Sequence, residues 1–69
     1  MGEMSLMECM QWATLRLHDC GYERTPLQVR KLLREFRPKL SLPDSVRAAA
    51  TSDLFFAKFL GFVKDEIPF

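Results

Sequence analysis

Long apolar runs are missing from this chain, and the longest, Leu54-Phe55-Phe56-Ala57, falls far short of the roughly 20 residues that cross a bilayer as a helix. A transmembrane segment is therefore not expected. No basic leader precedes an apolar stretch, and Glu3 and Glu8 interrupt the start, so the sequence does not read as a secretory signal peptide. Glycine is scarce, and Gly2, Gly21 and Gly61 lie too far apart to form a phosphate-binding loop. That argues against nucleotide chemistry.

Metal ligands are also few. The soft candidates are Cys9, His18 and Cys20; Cys9 and His18 fall on opposite faces of a helix, while His18 and Cys20 are near in sequence without facing each other. No metal and no cofactor are expected. Cys9 and Cys20 are eleven positions apart, about 16 Å along a straight helix. A disulfide needs Cα atoms about 4.4 to 6.8 Å apart, so both are read as thiols. That reading places the chain in the cytoplasm or another reducing compartment. Cys20 sits at the wrong helix end to be an activated nucleophile, and Cys9, though nearer the N-terminus, has Met7, Met10 and Trp12 beside it, which read as packing rather than a reaction centre. The nine carboxylates are scattered. The chain is not expected to be an enzyme.

What the sequence does have is apolar material in a short length. Of 69 residues 48% are apolar, six are Phe and one is Trp, while the formal net charge is only +1. This favours folding over disorder, as a single domain over residues 1–69 with a core too small to be stabilised easily. Burial against a partner would help such a domain.

The organisation comes from helix boundaries. Ser5-Leu6-Met7-Glu8 has the form of a capping box, which predicts a first helix from Leu6. Its inner stripe reads Leu6, Met10, Ala13, Leu17 and Cys20, with Gly21 as the left-handed stop. Met7, Cys9, Trp12 and Leu15 widen the apolar surface beyond one packing face. Thr25-Pro26-Leu27-Gln28 joins a Thr cap, Pro at the first helical position and Gln at the third, and predicts a second helix from Pro26 to Arg37. Val29, Leu32, Leu33 and Phe36 form its apolar stripe, and Pro38 closes it. Ser41-Leu42-Pro43-Asp44 starts a third, with Leu42, Val46 and Ala49 at helical spacing. At Ala50-Thr51-Ser52-Asp53 a break is preferred over one bent helix, because Thr and Ser compete for backbone partners. A fourth helix would present Phe55, Phe56, Phe59 and Leu60 and stop at Gly61. Phe62, Val63, Ile67 and Phe69 would then fold back over the core or meet a partner, and Pro68 opposes a helix to the end. The fold class expected is all-α, a compact bundle of three to four short helices.

Charge is distributed unevenly. Residues 1–22 carry a net −2, residues 23–47 a net +4 from seven basic and three acidic residues, and residues 48–69 a net −1. Arg30, Arg34 and Arg37 share one side of the second helix, with Lys31 beside them and Arg24 near its start. Two helices and a short link have the general arrangement of a helix-turn-helix, but the first is long and closes late.

Two functions are compatible with these features. The first is a small protein-interaction or regulatory domain, binding another protein or itself as a homodimer, with Trp12, Phe55, Phe56, Phe59, Phe62 and Phe69 as interface candidates. The second is nucleic-acid binding, with Arg24, Arg30, Lys31, Arg34 and Arg37 on phosphates.

Overall fold

The structure, a computed structural model, describes residues 4–65. Four helices account for most of them: α1 (Leu6–Asp19), α2 (Pro26–Phe36), α3 (Leu42–Thr51) and α4 (Asp53–Lys64), with no strand among the described residues. The all-α bundle expected from the caps is what forms. Ser5 and Glu8 complete a reciprocal capping box on α1, and Thr25 and Gln28 do the same on α2. Each box satisfies two amides that the helix itself leaves unpaired.

Gly21, at φ +94°, ends α1. The Gly21 amide donates to the His18 carbonyl and the Tyr22 amide to that of Leu17, the paired bonds of a Schellman motif. Tyr22 then packs against the core beside this turn. Ser52 does two jobs at the other sharp corner. Its amide donates to the Ala48 carbonyl to close α3, and its hydroxyl accepts from the Phe55 amide to open α4. The expected break between helices three and four is therefore a single shared cap residue.

α1 lies mainly against α3, α2 packs on both, and α4 covers α3 and the later part of α2. The core takes Cys9, Ala13 and Leu17 from α1, Val29, Leu32 and Leu33 from α2, Val46 and Ala49 from α3, and Phe56, Phe59 and Val63 from α4. Small residues at Cys9, Ala13, Ser45 and Ala49 suit close approach of α1 and α3.

Two expectations are corrected. The buried stripe of α1 is rotated from the one anticipated: Cys9 is buried, whereas Leu6 and Cys20 are exposed and Met10 is half-buried. An apolar band wider than one face leaves the choice of rotation to α3. Gly61 does not stop α4, which continues through Phe62 and Val63 to an Asp65 cap. Its Cα faces open space, so the helix passes through without steric consequence. Ile67, Pro68 and Phe69 lie outside the described residues.

Candidate interaction groove

The first turns of three helices meet at one end of the bundle. Leu6, Met7 and Met10 of α1, Pro26, Leu27 and Arg30 of α2, and Leu42, Pro43 and Val46 of α3 line an open groove of about 540 Å³. Each set occupies the first, second and fifth positions of its helix. The same register recurs because a side chain at the fifth position sits one turn above the first. Caps at Ser5, Thr25 and Ser41 hold all three starts.

The chemistry of the groove follows from this origin. Its lining is aliphatic or thioether except for the Arg30 side chain. Pro26 and Pro43 bring rings without N–H groups, so these positions offer no backbone donor. Three helix N-termini place the positive ends of their dipoles around the mouth. Glu8 and Asp44 stand in the first turns of α1 and α3, so the positive charge of this otherwise apolar concavity is that of Arg30. Leu27 and Met7 are each 72% exposed at its edge, unusually open for such side chains.

The sequence-derived interface candidates divide. Phe56 and Phe59 are buried in the core, because α4 turns that side toward α2 and α3. Phe55 and Phe62 are half-buried in a ring cluster around Phe36, with centroids 5.5 and 5.4 Å from it, and Phe59 lies 5.6 Å away. These phenylalanines fasten α4 to the end of α2. Trp12 is 52% exposed on the outer side of α1, as is Leu15. Phe69 lies outside the described residues. Among the described candidates Trp12 therefore has the most open aromatic surface, while the groove is lined by residues outside that set. Its trace in the sequence was the repeated cap followed by apolar first-turn residues.

Of the basic candidates, Arg30, Lys31 and Arg34 are exposed on α2, Arg37 is exposed at its C-cap beyond the last helical residue, and Arg24, before the N-cap, is half-buried with its guanidinium donating to the Glu23 carbonyl. Arg37 lies 4.3 Å from the Phe36 ring centroid, which holds its stem at the surface. None of the four exposed cations makes an ion pair among the described residues.

Cys9 is buried and Cys20 exposed at the end of α1; both are free. Among the described residues no three His, Cys, Asp or Glu side chains gather as a metal site, and no helix is long and apolar enough to cross a membrane. These features define a small compact all-α domain with exposed apolar and aromatic surface. Comparison with protein-family models, curated proteins and solved structures finds no match to the chain.

Proposed function

We propose that the chain is a protein-interaction domain, binding rather than catalytic, that holds an apolar helical segment in the groove formed by the starts of α1, α2 and α3. The observation carrying this reading is the open apolar concavity rimmed by Leu27 and Met7. A groove with an apolar floor suits the spaced anchors of an amphipathic helix. Exposed apolar side chains gathered around one concavity, rather than scattered singly, mark an interaction surface.

A photoreactive benzophenone side chain placed at Leu27 tests the reading in cells that express the protein. A discrete protein adduct is expected at this position and not at Leu54, which is equally open on α4. No protein adduct from Leu27, or the same adducts from both positions, would overturn it.

A second reading, nucleic-acid binding, is favoured by the exposure of Arg30, Lys31 and Arg34 along α2 and of Arg37 at its C-cap. Such a stripe matches successive phosphates of a backbone. Titration with DNA or RNA, read by its logarithmic salt slope, tests it separately from the first.

A further inference from the structure

We infer that the occupant of the groove is α1 of a second copy of this chain. The inference rests on the interaction reading above and adds the identity of the partner. The supporting observation lies on the outer side of α1, away from the core. Glu8, Trp12, Leu15 and Asp19 follow one another at intervals of four, three and four residues, which places them on one stripe of the helix surface. All four are exposed. The stripe therefore has two large apolar side chains at its centre and a carboxylate at each end, that of Glu8 also accepting from the Ser5 amide of its own capping box.

The groove offers the opposite arrangement. Its floor is apolar, Arg30 lines it, and Lys31 and Arg34 continue along exposed α2. Glu8 and Asp44 offset the dipoles at the starts of α1 and α3, so the positive charge here is carried by these α2 side chains. Trp12 and Leu15 seated in the groove place Glu8 and Asp19 at this basic rim. The net −2 of residues 1–22 and the net +4 of residues 23–47 complement each other between copies in the same sense.

Continuity of the two surfaces lets the exchange be mutual. Met7 lines the groove and also lies on the exposed side of α1, so the donor stripe and the acceptor groove adjoin on one molecule. When each copy inserts α1 into the other, one two-fold axis relates the contacts and the assembly closes as a dimer. The docking also covers Leu27, Met7, Trp12 and Leu15 together, which are four of the most exposed large apolar residues in the fold.

Sedimentation equilibrium of the intact chain over a concentration series tests this, with Leu27→Asp and Trp12→Ala as the altered surfaces and Leu54→Asp as the surface control. Helicity by circular dichroism checks that each variant is folded. Expected is a monomer–dimer equilibrium, weakened about tenfold or more by Leu27→Asp and by Trp12→Ala, and unchanged by Leu54→Asp. Raising salt weakens the dimer, because screening acts on the rim charges. A chain that remains monomeric, a dimer indifferent to both groove and stripe variants, or association strengthened by salt overturns the inference. Binding of the anionic apolar dye 1-anilinonaphthalene-8-sulfonate separates the two levels of the argument. A monomer whose dye binding is lost in Leu27→Asp retains a working groove with a different occupant, whereas a monomer that binds no dye at this site has neither.

Discussion

Arg16 of α1 joins Asp53 at the start of α4 through a 2.7 Å ion pair, while the same guanidinium donates to the Ala49 and Ala50 carbonyls at the end of α3. It also lies 4.4 Å from the Phe56 ring centroid. One side chain therefore binds three helices at the corner where α3 becomes α4. The carbonyls it reaches belong to the last turn of α3, where helical partners are missing.

The partners of Arg16 are unequal, and that predicts unequal mutational effects. The Asp53 side chain is 96% exposed, so water screens the ion pair and Asp53→Asn should cost less than about 1 kcal/mol. Arg16→Ala removes the charged donor from two carbonyls and the cation from the ring, and should cost about 2 kcal/mol. Arg16→Lys should recover little, since an ammonium lacks the planar fork that serves both carbonyls and the carboxylate. Urea unfolding of the three variants checks the order. An Asp53→Asn loss equal to that of Arg16→Ala would show that the ion pair, rather than the cap on α3, is the stabilising element.

The two described glycines should respond to alanine in opposite directions. Gly21 holds φ +94° with open space around its Cα, so Gly21→Ala suffers from the backbone alone and should lose about 1 to 2 kcal/mol. Gly61 lies within α4, also in open space, and Gly61→Ala should gain about 0.5 to 1 kcal/mol by favouring helix. Thermal unfolding of both variants gives the signs directly.

That contrast shows what was legible in the sequence. Ser5 with Glu8, Thr25 with Gln28, Ser41 and Ser52 declare helix starts because each cap is a bond between residues three apart. Such signals need no knowledge of tertiary structure. Gly61 looked like a stop because glycine often is one, yet the bond pattern that defines a stop is present only at Gly21 of the two. The rotation of α1 and the division of the phenylalanines into buried Phe56 and Phe59 and half-buried Phe55 and Phe62 depend on where α3 and α2 sit. The groove was hidden for the same reason. Its nine lining residues come from the starts of three separate helices, and only folding brings them together.

Ser45 is buried to 1% exposure on α3, and its hydroxyl has no hydrogen-bond partner among the described residues. A desolvated hydroxyl without a partner opposes folding. Ser45→Ala removes it with almost no change of shape and also improves helix propensity, so stability should rise by about 0.5 to 1 kcal/mol. A loss of stability in urea unfolding would indicate that the hydroxyl is bonded in solution.

The two thiols should differ in reactivity. Cys20 is exposed and should react quickly with an aromatic disulfide reagent, whereas Cys9 is buried in α1 and should react only as the fold opens. Variants that destabilise the fold, such as Gly21→Ala, should speed the slow phase and leave the fast one unchanged. Two equally fast thiols would mean that α1 does not bury Cys9.

The basic face of α2 gives the sharpest separation between the two functional readings. If Arg30, Arg34 and Arg37 contact phosphates, DNA or RNA binding should fall steeply with salt, because each neutralised phosphate releases counterions. Removing one contact should then reduce the logarithmic salt slope by roughly 1. Arg34 is the residue to alter: it is exposed at the middle of the stripe and, unlike Arg30, does not line the groove. Arg34→Ala should therefore weaken nucleic-acid binding with a shallower slope while helicity is unchanged. An acidic protein serves as the control, since a non-specific positive patch would bind it as well. Absence of binding at low salt removes the nucleic-acid reading, and equal binding to the acidic control leaves only a general attraction for negative surfaces. Loss of nucleic-acid affinity in Arg37→Ala, at the opposite end of α2 from the groove, together with intact self-association would assign the α2 face and the groove to separate partners.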